Sequence, residues 1–377
     1  MAHSPVTPPP LSSTATRRLP VELLDSIFSY ACTDGGYTGR SLSLVSAHFR
    51  EVARHIRFQS IALASLRHIK SFLACLTRER VYTKVRVRHL FLSTWRDGED
   101  IVRIRNGRAP RSDILGSLGS MDGPRWCVWM PIQETLDREL SHLLPSVLNA
   151  VAHHLCTLSI VHSWEFSAIQ LPENFPVLRE STFCGPPPIF PGGCIKLSPS
   201  PSPCFPSLRH LHVVCGNVST EFWVHHSPAV THLRLSDLNC AAGTLADELQ
   251  CCLGIALGRT LPEHQSHPPF THVRLQPRAV LPDYCGTSAV EHNTFVRHLK
   301  TLRPHPSIHV EVMRDRRYYD GYWDLRIQRD WQDGLVSGPG WWVGSEEREE
   351  EEDELDSNSD ADGYGSGTLE QSITYWM

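Results

Sequence analysis

An apolar triplet of fixed spacing recurs along this 377-residue chain and limits what the chain can fold into. Val87-x-x-Leu90-x-Leu92 is the first copy and Leu155-x-x-Leu158-x-Ile160 the second. Leu208-x-x-Leu211-x-Val213, Val230-x-x-Leu233-x-Leu235 and Phe270-x-x-Val273-x-Leu275 follow, with a degraded copy at Leu178-x-x-Ser181-x-Phe183. The last two apolar positions of each copy are two residues apart, so in a strand both side chains point to one face. Short strands that share such an inward pair suit a common sheet. The first positions, 87, 155, 178, 208, 230 and 270, are separated by 68, 23, 30, 22 and 40 residues. The three shorter gaps fit one strand plus a return segment. The gaps of 68 and 40 require inserted elements or units that the pattern does not reveal.

Between the copies lie connecting elements. Leu66, Ile69, Phe72, Leu73 and Leu76 form a helical stripe. A longer stripe runs through Leu136, Leu140, Leu143, Leu144, Val147, Leu148 and Val151, and Pro145 is expected to start or kink that helix. Leu245, Leu249, Leu253 and Leu257 repeat every four residues. Gln59 to Leu63 alternates as a short strand, and Ile308 to Val312 is expected to be the last strand. Phe175-Pro176 and Phe205-Pro206 restrict the approach to two strands to extended backbone. Gly185 to Pro206 is a Pro- and Ser-rich segment expected to be an exposed loop.

The triplets resemble the leucine-rich-repeat signature, in which each unit of about 20–29 residues gives one strand to a parallel sheet. Asn217 and Asn239 follow their triplets at the same offset, one place later than the family pattern. The resemblance implies an irregular α/β solenoid whose polar positions can vary without touching the core. Those positions are Arg209, His210 and His212 in one unit, then Thr231, His232 and Arg234, then Thr271, His272 and Arg274. The recurrence of His and Arg describes a mildly basic face. It is either simple solvation of an outer surface or a surface suited to an acidic partner. The alternative architecture is a non-repeating α/β domain whose strands share an apolar spacing.

Upstream, Pro20 suits the first turn of a helix, where its missing N–H would be unpaired anyway. Leu23, Leu24, Ile27, Phe28 and Ala31 then form one apolar face. Thr33 to Gly39, with three glycines, is expected to break the helix. Leu42, Val45, Phe49 and Val52 predict a second helix from about Ser41 to Arg54. Some 45 residues bury too little apolar surface to stand alone, so these faces need each other and a partner. Read as pattern, this is a helical hairpin packed on the rest of the fold.

Leu19-Pro20, Glu22-Leu23-Leu24, Ile27-Phe28, Leu44-Val45-Ser46 and Phe49-Arg50 also resemble, in order, the pattern of the F-box family. The Gly-rich loop from Thr33 to Arg40 is longer than the family's usual connection. The resemblance covers about Arg17 to Phe58. With loose repeats behind it, the chain is similar to F-box-like proteins abundant in mushroom-forming fungi. The resemblance implies a non-catalytic substrate-recognition subunit of an SCF-type E3 ubiquitin ligase. It would bind a Skp-type adaptor, and through it a cullin, by Leu19, Pro20, Leu23, Leu24, Ile27, Phe28, Leu44, Val45 and Phe49. The repeats would hold an unidentified protein substrate, and the benefit is raised effective concentration rather than bond-making. An F-box-bearing scaffold without a ubiquitination role is one alternative. A hydrolase with a site assembled from distant residues, such as Cys and His, is another.

Charge and cysteine usage bound the rest. Residues 345–377 hold twelve Asp and Glu against one Arg, −11 of the formal −5 total, which leaves +6 for the other 344 residues. That excess is diffuse and does not describe a nucleic-acid surface. No apolar run reaches the ~18–20 residues that span a bilayer, and residues 1–16 lack the order of a secretory signal. The twelve Cys include no CxxC pair, so reduced thiols in a cytoplasmic or nuclear protein are expected, with no metal and no cofactor. Nucleotide-binding, nucleophile-elbow and zinc-protease motifs are missing from the sequence. The expected organisation is a disordered leader at 1–16, an F-box-like module at 17–65 and repeats at 66–325. An aromatic cap follows at 326–344 and an acidic disordered tail at 345–377. The aromatics from Tyr318 to Trp342 are expected to pack against the end of the solenoid, with a binding patch as the other reading.

Overall fold

The computed structural model describes residues 19–79, 86–94, 124–162, 169–172, 174–185, 203–214, 225–238, 270–279, 287–302, 304–314 and 323–336, with Trp223, Leu249, Gln250 and Leu253. The expected leader and acidic tail, Asn217, Asn239, Trp341, Trp342 and most of the Pro/Ser-rich segment lie outside these residues.

Among the described residues, eight strands form one all-parallel sheet in sequence order. They are β1 (Ser60–Leu63), β2 (His89–Ser93), β3 (Thr157–Val161), β4 (Glu180–Cys184), β5 (His210–Val214), β6 (His232–Leu238), β7 (His272–Pro277) and β8 (His309–Val312). The register aligns the triplets: Leu90, Leu158, Ser181, Leu211, Leu233 and Val273 form one row across the sheet. Leu92, Ile160, Phe183, Val213, Leu235 and Leu275 form the next inward row. Apart from Ser181, which is buried but polar, both rows belong to one buried core, as do the first positions Val87, Leu155, Leu178, Leu208, Val230 and Phe270. β1 supplies a further copy, Phe58-x-x-Ile61-x-Leu63, which joins the same core.

A parallel sheet needs crossover segments that cover it. On the apolar face, α4 (Leu66–Glu79) and α5 (Pro124–Val151) bring Ile69, Leu140, Leu144 and Leu148, and α6 (Thr287–Lys300) brings Phe295 and Leu299. α5 lies between β2 and β3 and accounts for much of the 68-residue gap; Pro145 sits within it rather than starting it. Leu249 and Leu253 of the second long gap join that core. Phe175 and Phe205 stack at 5.3 Å. The amides of Leu178 and Leu208 return to their carbonyls, so each Phe-Pro pair opens a tight turn as well as an extended approach.

The opposite face is covered at one end by α7 (Trp323–Leu335). Trp331 packs its ring 5.8 Å from that of Phe91 and donates its indole N–H to Thr157 Oγ1 at 3.2 Å. Trp331 of the aromatic segment therefore lies on the face of β2 and β3, while Tyr318, Tyr319 and Tyr322 lie outside the described residues. The helix's buried pair Ile327 and Trp331, four residues apart, needs an apolar seat, and Phe91 is the bulky apolar side chain of that outward row.

The N-terminal module consists of α1 (Val21–Ala31), α2 (Tyr37–Val45) and α3 (Ala47–Val52). The expected single helix from Ser41 to Arg54 is divided at Ser46. That residue is extended, with φ −162° and ψ 165°, and its hydroxyl accepts from the Phe49 amide at 3.1 Å, capping α3. α2 also begins earlier than expected, at Tyr37, because Asp34 accepts the Thr38 amide and Gly36 turns the chain with φ 102°. Leu24, Phe28, Cys32, Val52, Ala53 and Ile56 make a small core separate from that of the sheet. The Gly-rich loop ties the module to β1: the Ala62 amide donates to the Gly35 carbonyl at 3.0 Å, and the Gly35 amide to Ser60 Oγ at 3.1 Å. Among the described residues no helix is long and apolar enough to cross a membrane.

Candidate functional site

Helix geometry sorts the predicted adaptor residues into two sets. Leu24 and Phe28 face the module's core and are 3% and 4% exposed. Phe49 is half-buried against that core, its ring 5.2 Å from Phe28. The other six point to solvent: Leu19, Pro20, Leu23, Ile27, Leu44 and Val45. Leu23 and Ile27 are 52% exposed, and Leu44 and Val45 are 69% and 63% exposed. The single stripe expected on α1 thus has an inward half and an outward half. A three-helix core this small covers only one side of a stripe containing adjacent apolar pairs. Exposed Val21, Tyr30 and Tyr37, absent from the predicted set, extend the outward surface. Leu23, Ile27 and Tyr30, at spacings of four and three, share one face of α1.

The second candidate is the outward face of the sheet. The predicted positions fall into ordered rows there. His210, His232 and His272 are consecutive partners, and His309 of β8 extends the row. Their ring centroids lie 4.8, 4.7 and 5.8 Å apart in turn. His232 and His272 are nearly parallel, at 7°. The next row holds His212, Arg234, Arg274 and Glu311.

This face is not the freely solvated surface that the polar pattern suggests. His212 is 4% and Arg234 is 8% exposed. His212 Nε2 lies 3.0 Å from Ser236 Oγ, and the Arg234 guanidinium donates to Ser236 Oγ and Gln276 Oε1. Arg209 precedes its strand, is exposed and stands outside the rows. Arg274 pairs with Glu311 at 2.8 Å, and His210 lies 3.3 Å from Glu180. A β-bulge after Ser236 places Asp237 at φ 59°, with its buried carboxylate held by two bonds from Arg278. The local hydrogen bonds of an Asp make that left-handed backbone tolerable.

Burial lowers the titration of three rings on this face, His89, His212 and His232. It lowers His212 well below the ordinary value, with the Arg234 charge adding to the effect. Burial also lowers His232, helped by His210, His272 and Arg274. At the other end of the row, burial and Arg88 bring His89 down to about 4 against an opposing pull from Glu180. Among the described residues no group of three His, Cys, Asp or Glu is placed to share a metal ion. Parallel stacked imidazoles do not converge their lone pairs on one point.

A third feature joins residues far apart in sequence. Cys204 Sγ lies 3.3 Å from His226 Nδ1. Both residues stand four places before the first position of their triplets, Leu208 and Val230, so neighbouring strands bring them together. Burial, with His225 alongside, lowers the His226 titration. The thiol is buried at 6% exposure, which closes it to a bulky substrate in this conformation. In the N-terminal module, burial and the nearby Asp34 charge raise Cys32 to about 11, which marks a core thiol. No protein-family model, curated protein or solved structure matches this chain.

Proposed function

We propose that the chain is the substrate-recognition subunit of an SCF-type ubiquitin ligase, with an F-box-like module that docks a Skp-type adaptor. The observation that carries the reading is the division of labour within the three helices. Leu24, Phe28 and Val52 supply the module's own core, while Leu23, Ile27, Leu44 and Val45 remain exposed on a unit with a core of only six buried residues. Covering an apolar side chain of this size stabilises a complex by about 1.5–3 kcal/mol when fully achieved. Half-exposed residues gain correspondingly less, so several must act together. The sequence order of the F-box pattern supplies the identity of the partner.

In this reading the remaining chain is a degenerate leucine-rich-repeat solenoid. The aligned triplets on a parallel sheet support it, and the outward rows of β5 to β8 form the surface that meets a protein substrate. The chain performs no bond-making; it holds substrate near a partner enzyme. Affinity capture of the full chain tests this. The reading expects a Skp-type adaptor and a cullin in the same eluate. Adaptor without cullin would mark a scaffold, and neither would remove the reading.

A second reading, a thiol hydrolase, rests on the Cys204–His226 contact alone. A nucleophilic thiol needs a base within hydrogen-bond reach, which His226 satisfies. It also needs access, which the burial of Cys204 opposes. Iodoacetamide labelling of the folded chain decides it. Labelling of Cys204 faster than a free thiol at pH 7 would favour the hydrolase, and protection until unfolding would exclude it.

A further inference from the structure

The outward row of the last four strands is made wholly of imidazoles: His210, His232, His272 and His309. The charged groups around it nearly balance. Arg234, Arg274 and Arg278 are positive; Glu180, Glu311 and Asp237 are negative, and each carboxylate lies against a ladder or arginine side chain. With neutral rings these three arginines and three carboxylates cancel, and Arg209, exposed just before His210, adds one fixed positive charge at the edge of the row. Each proton taken up by the ladder adds one positive charge that no residue of that balance matches. Rings less than 6 Å apart repel once both are protonated, so a second and third proton enter readily only when an anion lies beside them.

The chain itself carries such an anion. Residues 345–362 contain eleven Asp and Glu and one Arg. They follow α7, which is seated on this same outward face at β2 and β3. From Leu335 to Glu346 is eleven residues, a reach of up to about 36 Å when extended. From β3 to β8 is five strand spacings, about 24 Å. We propose that the histidine ladder of β5–β8 is an acid-strengthened docking face for the chain's own acidic segment, residues 345–362. Docked there, the segment occupies the surface on which a substrate would otherwise sit.

Three features favour this occupant. Charge is complementary once the ladder is protonated. The segment is held at high effective concentration by its link to α7. The ring at the far end, His89, stays uncharged in mild acid because it is buried beside Arg88, so new protons enter the row only at β5–β8, where burial and the neighbouring rings also hold His232 down until an anion is present. By sequence α7 carries Arg326 and Arg329 against Asp324, Asp330 and Asp333, a net charge of −1 at the β2–β3 end. Binding is linked to proton uptake: what the segment gains from protonated rings, the rings gain in proton affinity from the segment. The inference does not rest on the helical module and holds equally for a chain that ignores the adaptor.

The test compares the full chain with a full-length variant in which Glu346, Glu347 and the run Glu349–Glu354 become Gln and Asn. Imidazole titrations are followed by NMR at about 0.05 M salt and at 1 M salt, with the ladder rings assigned by single His→Gln substitutions. The expected result is a titration midpoint for His232 and His272 higher by about half a pH unit or more in the native chain. The difference should collapse at 1 M salt and be unchanged by tenfold dilution. Identical midpoints in the two proteins would overturn the proposal. A difference that disappears on dilution would also overturn it, by assigning the segment to a second copy. A free peptide of residues 345–362 gives an independent readout at pH 5.5. It should bind the neutralised variant about tenfold more tightly than the native chain. Equal affinity for both would show the face open to outside acidic partners and would contradict occupation in cis.

Discussion

The sheet and the N-terminal helices use leucine for opposite ends. In the sheet, Leu90, Leu92, Leu158, Leu211 and Leu233 point inward and are at most 1% exposed. In the helices, Leu24 is buried while Leu23, Leu44 and Leu19 stand 52%, 69% and 42% exposed. The sheet repeats one inward row from strand to strand, so each unit completes its neighbour. The helices have no neighbour of their own kind, and their apolar residues exceed what a six-residue core can cover. A region that buries its leucines explains its own stability; a region that exposes them leaves apolar surface uncovered.

The sharpest way to break this contrast is to truncate one leucine on each side. Leu158→Ala should destabilise the chain by about 2–5 kcal/mol, since the side chain is fully enclosed. Leu44→Ala should stay within about 0.5 kcal/mol. Urea unfolding measures both, and similar losses would refute the division. Gly39→Ala is expected to be next in size. A methyl there would sit 2.5 Å from the Arg57 carbonyl oxygen, so the helix must move. A loss of about 1–3 kcal/mol follows from such overpacking. Faster hydrogen exchange should be confined to α1, α2 and α3, because the module's core is separate from that of the sheet.

Acid should separate the regions in a different way. His89 titrates at about 4 in the folded chain against an ordinary 6.5, so the unfolded chain binds the proton first. Stability is therefore highest above pH 6.5 and is lost as pH falls toward 4. His212, buried in the same sheet, acts in the same direction. His89→Gln should flatten part of this slope, as read from unfolding midpoints across pH 4 to 7; an unchanged slope would show that His89 is not its source. A loss smaller than those at Leu158 and Gly39 is expected at Ser46. Removing its hydroxyl with Ser46→Ala should cost about 1 kcal/mol and fray α3, while Ser46→Asp should retain the cap.

Much of the sheet was legible because its apolar period is rigid. A pair two residues apart, repeated, leaves a parallel register with one inward face, and six copies locate six of the eight strands. The copy in β1 went unread because Phe58 lies against the helical module, where it looks like that module's last residue. The outward rows were legible as a recurrence of His and Arg, yet His309 was missed because β8 lacks the triplet that would align it. The burial of His212 and Arg234 depends on hydrogen bonds to Ser236 and Gln276, which no spacing reveals. Cys204 and His226 could have been paired from their equal offset to the triplets. On α1, the adjacent pairs Leu23-Leu24 and Ile27-Phe28 hid which residue faces inward. Helical period gives a stripe, and only the size of the core it meets decides how much of that stripe is covered.

The most direct measurement is the affinity of a purified Skp-type adaptor for the chain carrying Leu23→Asp and Ile27→Asp, taken with its unfolding curve. Both side chains are half-exposed, so the unfolding midpoint should be nearly unchanged. Adaptor binding should weaken by about 30-fold or more for each substitution if they are central contacts. Unchanged adaptor affinity, or a large loss of stability, would contradict the assignment of this surface to a partner.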